Sequence, residues 1–286
     1  MNKFLPLLFI LLWSSAFVTT KPIIDNSDPF AALSFRFLIV AIGFLIYSKY
    51  KKLSLKLNFK DLLQSFTSGV FFHGIYLGGV FYSVSLGVPT GITALIVTMQ
   101  PILTNALAGP ILNEKVGWRQ WLGVLLGFSG AAIVLGFDLG DALPSIGILA
   151  SFIALASITS ATLLQKKFGG NTPLPVSNMY QAAGGCIFHI LIVIFFAEAF
   201  INFNKTFLIA MSHQIFLVSF GAFTILMYLI KNNSASKTVT IFFLIPATTA
   251  IIAWIFLNEE LSNLDIFGFL VASFGVYLAT RKNIST

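Results

Sequence analysis

Residues 90–135 recur as residues 235–280, and this duplication limits the folds open to the chain more than any other feature. A constant offset of 145 with no gap pairs Pro101 with Pro246, Asn113 with Asn258, Glu114 with Glu259, Gly123 with Gly268 and Gly130 with Gly275. Thr93/Thr238, Ile96/Ile241, Thr104/Thr249, Ala108/Ala253 and Leu112/Leu257 also match, making ten identities over 46 positions. Matched Ala, Ile and Leu carry little weight in a chain that is 57% hydrophobic. A shared order of Pro, Glu, Gly and Gly at fixed spacing carries far more and marks an internal repeat.

Only 9% of the residues are charged, against about 25% in a soluble domain. Crossing ~30 Å of hydrocarbon as a helix takes about 20 apolar residues. Ten runs approach that length: 4–20, 30–47, 65–85, 90–112, 118–137, 145–164, 176–197, 207–230, 235–257 and 264–280. The first reads as a retained helix rather than a cleaved signal peptide, because Trp13, Ser14 and Ser15 interrupt its apolar region and no small-x-small site follows before Lys21.

Charge sidedness tests the count. With the N-terminus inside, 14 of the 17 Lys and Arg fall on cytoplasmic segments, leaving Lys21 and Lys205 outside and Arg36 within a helix. Translocating basic residues is disfavoured, and a missed helix would scramble the alternation downstream. The net charge of +7 therefore reflects membrane sidedness and gives no reason to expect a nucleic-acid partner. The lone Cys186 rules out an intrachain disulfide.

Ten spans repeating every 145 residues make five per copy. Five is odd, so the second copy enters the bilayer upside down. The expected fold is an all-α integral membrane protein of ten transmembrane helices, built as two inverted five-helix repeats, residues 1–140 and 141–286. Both termini are expected in the cytoplasm. The segment after Leu112 carries Lys115 and Arg119, while its counterpart after Leu257 carries Glu260 and Asp265, as inversion requires. Inverted repeats are a common construction of secondary transporters.

The run Leu12-Trp13-Ser14-Ser15-Ala16-Phe17, the pair Arg36-Phe37 and the doubled Pro…Glu…Gly…Gly tails resemble the EamA-type branch of the drug/metabolite transporter superfamily. The resemblance covers essentially the whole chain; it is weakest in the sixth run, where Thr159-Ser160-Ala161 lacks the tryptophan. It implies a ten-helix carrier in a bacterial inner membrane, often exporting amino acids or other metabolites.

Candidate solute-binding residues are Trp13, Arg36, His73, Tyr76, Gln100, Thr104, Tyr228, Phe242 and Thr249. Arg36 lies about six residues inside its helix, roughly 9 Å deep, where a charge is costly and usually has a task. It reads either as the group that recognises a carboxylate or phosphate, or as a side chain reaching outward to water. Its repeat mate is the neutral Gln181. Pro101 and Pro246 sit mid-helix and remove a backbone donor, which marks helices four and nine as bent around a cavity. Thr93, Val97, Gln100 and Thr104 share one face of helix four, and Thr238, Phe242, Ile245 and Thr249 the matching face of helix nine. Trp13, Tyr76 and Tyr228 suit a solute with apolar and polar parts, or serve as packing. His73 either carries a proton or is simply hydrogen-bonded. Glu114 and Glu259 lie at helix ends and read as structural caps, along with the close-packing glycines Gly123 and Gly268. The glycines Gly74/Gly78 and Gly123/Gly127 favour a tight bundle and leave a homodimer contact open.

No Asp or Glu falls near the middle of a run, which argues against export of lipophilic cations. HExxH, GxSxG and P-loop motifs are missing from the sequence, so no enzyme activity, metal or cofactor is expected. The leading expectation is a secondary carrier for a small neutral or zwitterionic metabolite, with an amino acid the best single candidate and export the family default. An uptake carrier or exchanger for a nucleoside or S-adenosylmethionine-like solute, or a channel or lipid-handling protein, is the alternative. Its partners are the solute and the lipid bilayer.

Overall fold

The computed structural model describes residues 4–135, 143–169, 172–197, 199–257 and 263–280. Its helical segments are α1 (Phe4–Ile24), α2 (Pro29–Tyr50), α3 (59–85), α4 (90–112) and α5 (Trp118–Leu135) in the first half. The second half has α6 (Ser145–Phe168), α7 (Leu174–Phe196), α8 (Lys205–Asn232), α9 (235–257) and α10 (Asn263–Thr280). Six of these stretches combine at least 18 residues with strong apolarity, their mean hydropathy running from 1.5 to 2.1.

The distribution of side chains is the reverse of a soluble protein's. Ile46, Phe195 and Leu270 are 63%, 68% and 61% exposed on the outside, whereas Arg36, His73, His189, Gln100 and Gln181 are buried within. An apolar exterior of this extent is stable against hydrocarbon and not against water. The protein is a multi-pass membrane protein.

Local chemistry sets the helix ends. Asp28 accepts hydrogen bonds from Phe30 N (3.0 Å) and Ala31 N (2.8 Å), and Asn204 accepts one from Phe207 N (2.9 Å). These side chains satisfy the donors that the first turn leaves free. Asn113 ends α4 in the left-handed conformation (φ 56°), a cap that usually falls to glycine or asparagine.

Four helices are irregular, in matching places. α3 passes into a π-helix over Val70–Tyr76, and α8 does so over Gln214–Ala222, which contains the 145-offset image of the first. α4 stops at Val97 and resumes at Gln100; α9 tightens into a 3₁₀ turn over Ile241–Leu244 and resumes at Ile245. Pro101 and Pro246 each stand second in the resumed helix. Proline is tolerated there because that N–H needs no intrahelical acceptor. The interruption therefore precedes each proline by a few residues.

Packing repeats with the same transposition. α1 lies against α8 and α9, and α6 lies against α3 and α4; α2 packs on α7 and α5 on α10. The α5–α10 seam is made of glycine. A Cβ on Gly123 would meet Gly275 O at 2.5 Å, and one on Gly130 would meet Gly268 O at 2.5 Å. Gly123 and Gly268 thus serve contact within one chain. The Gly127 and Gly74 positions likewise face the Phe243 and Phe188 rings.

Glu114 ties the halves together. Its carboxylate accepts from Ala235 N (2.8 Å), Ser236 N (3.3 Å) and Ser236 Oγ (2.8 Å), so it caps the start of α9. A carboxylate at a helix N-terminus gains from both the free N–H groups and the dipole. Glu114→Ala is expected to destabilise the protein by about 1–2 kcal/mol, read as an earlier thermal melt in detergent, with Glu114→Gln in between. An unchanged melt in both would show that the cap contributes nothing. The repeat mate Glu259 lies outside the described residues.

Candidate functional site

Four helices, α1, α2, α3 and α8, enclose a cavity of about 40 Å³. That is room for a few waters at most, so the path is closed around it. Trp13, Arg36, His73 and Tyr76 line it together with Gln214 and Ser219.

Arg36 is 3% exposed. Its Nε donates to Ser219 Oγ at 2.9 Å and its Nη1 to Gln214 Oε1. Gln214 is itself oriented from behind, since its Nε2 donates to Ala16 O (2.9 Å) and Thr19 Oγ1 (3.0 Å) on α1. The guanidinium carbon stands 5.2 Å from the centre of the Phe37 ring. All of these partners are neutral, and among the described residues no carboxylate pairs with Arg36. Guanidinium stays charged and offers a planar fork of donors, so this is a buried cation without a protein counter-charge.

The π segments place the other lining groups. His73 sits between Phe37 and Phe223, ring centroids 4.4 and 4.3 Å away. Its backbone carbonyl lies 2.9 Å from His189 Nε2 on α7. A π turn leaves carbonyls without their usual i+4 donor, and such turns are frequent at functional sites.

Several expected residues lie elsewhere. Phe242 does not line the cavity but backs it, its ring 5.9 Å from that of Trp13. Thr249 Oγ1 donates to Ser14 O (3.3 Å), joining α9 to α1. Gln100 donates to Thr162 Oγ1 at 2.9 Å, away from the cavity, and Thr104 is fully buried without a hydrogen-bond partner for its hydroxyl. Tyr228 is 42% exposed on the outside of α8. The reason is the π segment. Each π turn holds an extra residue, so the lining face runs Gln214, Val218, Ser219, Phe223 and rotates Tyr228 away. The cavity draws on α1, α2, α3 and α8; α4, α6 and α9, expected as lining helices, do not reach it.

Gln214 and Ser219 were not singled out from sequence. Gln214, an amide in the apolar run 207–230, was a visible signal; its pairing with Arg36 was not.

The model of the EamA-like transporter family matches the chain twice, over residues 3–136 and 145–281. An uncharacterized transporter of Bacillus subtilis, YvbV, is 25% identical over 280 residues, covering 96% of this chain and 90% of its own. A probable amino-acid metabolite efflux pump of Salmonella typhimurium is 21% identical over 97% of this chain and 94% of its own. One crystal structure superposes with a TM-score of 0.80 at 16% identity, covering 97% of this chain and 96% of that one, a likeness of fold. With both family matches spanning the cavity-forming helices, the chain belongs to the EamA-like transporter family.

Proposed function

We propose that the protein is a secondary carrier that moves a small zwitterionic metabolite, an amino acid or a close relative, across the bacterial inner membrane by alternating access, in the direction of export. The observation that carries this reading is Arg36. A buried guanidinium held by a hydroxyl and an amide, at the wall of an aromatic cavity, is the chemistry that receives a carboxylate beside an apolar side chain.

The reading takes the chain as ten crossings in two inverted halves with both termini in the cytoplasm. The matched π segments, the matched breaks before Pro101 and Pro246, and the transposed packing of α1 and α6 support it. Two halves that exchange conformations open a closed central cavity first to one face, then to the other. The names printed for the Salmonella typhimurium and Escherichia coli relatives, probable amino-acid metabolite efflux pumps, favour the solute class and direction.

Proteoliposomes preloaded with unlabelled solute, screened over amino acids, nucleosides and S-adenosylmethionine, test it. We expect saturable counterflow with at least one labelled amino acid. Flux proportional to gradient without counterflow would indicate a pore instead. N- and C-terminal tags on opposite faces would exclude an even number of crossings.

A further inference from the structure

The repeat offset carries the cavity onto a second place in the molecule. Adding 145 to Phe17, Thr20 and Arg36 gives Thr162, Gln165 and Gln181. The structure brings these three into one polar cluster that belongs to no cavity. Gln181 Nε2 lies 3.4 Å from Gln165 Oε1 and 3.1 Å from Ser177 Oγ. Thr162, one turn before Gln165 on α6, accepts from Gln100 Nε2.

Three acceptors here are orphaned. Gln100 Oε1, Gln181 Oε1 and Asn178 Oδ1 have no partner, in side chains that are 0%, 0% and 1% exposed. The orientation of Gln100 follows from its neighbours. Thr162 Oγ1 gives its own proton to Ile158 O (2.9 Å), so it accepts from the Gln100 nitrogen and leaves the oxygen unpaired. A buried acceptor left unmade costs free energy. Three together, bridged by amide contacts of 3.4–3.5 Å at the edge of hydrogen-bond range, describe a surface held shut and not a settled core.

We infer that this amide cluster is a second solute station, which takes the ammonium or N–H donors of the solute when the carrier opens to the cytoplasm. The inference rests on the alternating-access reading. The acceptors are neutral oxygens in a setting with no fixed cation, the converse of the Arg36 pocket: one end of a zwitterion suits each. Arg36 is seven residues from Pro29 at the start of α2, and Gln181 seven from Leu174 at the start of α7. Entering from opposite faces, each stands about 10 Å deep, leaving roughly 10 Å between them within ~30 Å of hydrocarbon. That is too far for a small amino acid to bridge, so the two stations act in succession.

The test needs no known solute. In a Cys186→Ala background, Thr162→Cys and Val218→Cys report on the amide cluster and the Arg36 cavity with membrane-impermeant thiol reagents, one carrying trimethylammonium and one carrying sulfonate. Thr162→Cys is expected to react from the cytoplasmic face, and Val218→Cys from the outer face. Normalised to a free thiol, the cation-over-anion rate ratio should be at least 10-fold higher at Thr162→Cys. Equal ratios, or no cytoplasmic labelling at Thr162→Cys while Val218→Cys labels from outside, would overturn the second station alone. Failure of Val218→Cys to label from either face would instead remove the alternating-access reading beneath it.

Discussion

Arg36→Gln is expected to raise the apparent KM for counterflow of a carboxylate-bearing solute about 10- to 100-fold, the range of about 1.5–3 kcal/mol for a hydrogen bond to a charged group. The protein's thermal melt should not fall. Arg36 is buried with neutral partners only, so its charge costs desolvation that nothing in the folded chain repays. Glutamine can still reach one of Ser219 and Gln214 and ends that cost. Arg36→Lys should fall between, since it keeps the charge and loses the planar fork. Loss of function with unchanged or raised stability is the signature of a ligand-binding group. The opposite pair of results, an unchanged KM with an earlier melt, would identify Arg36 as a strut between α2 and α8 and would take the proposed solute class with it.

Much of the architecture could be read before any coordinates, because it rests on repetition. The offset of 145 predicts not only matched residues but matched irregularities, and the breaks ahead of Pro101 and Pro246 fall in the same register. Proline announces itself chemically, by its missing donor. The π segments do not. Val70–Tyr76 and Gln214–Ala222 contain no residue type that demands an extra residue per turn, so sequence periodicity extends a straight α face through them. That extrapolation put Tyr228 inside and passed over Gln214 and Ser219. Arg36 was visible as a charge in an apolar run, yet its partners lie 178 and 183 positions away, a separation that one sequence does not resolve. Glu114 shows the same division. Its place at a helix end indicated a cap, but the helix it caps belongs to the other half.

Gly130→Leu and Gly275→Val are expected to prevent the protein from accumulating in a folded form. α5 and α10 touch backbone to backbone. A Cβ at Gly130 meets Ala272 N and lies 2.5 Å from Gly268 O, and one at Gly275 meets Gly127 N and lies 2.6 Å from Gly123 O. Backbone cannot rotate aside as a side chain can, so the helices must separate along their length. Overpacking a side-chain core costs about 1–3 kcal/mol, and a seam closed by paired glycines loses its close contact at every turn above and below the substitution. Without a hydrophobic drive between helices in lipid, that contact is what holds them together. The measurement is the monodisperse fraction after detergent extraction, with Gly109→Ala as control. A Cβ there meets nothing nearer than Glu114 O at 3.8 Å, and alanine favours the helix by about 0.5–1 kcal/mol, so this variant should extract as well as the parent. If Gly130→Leu did so too, the α5–α10 seam would be free to part, and the tight seam could not be the fixed base against which the other helices move.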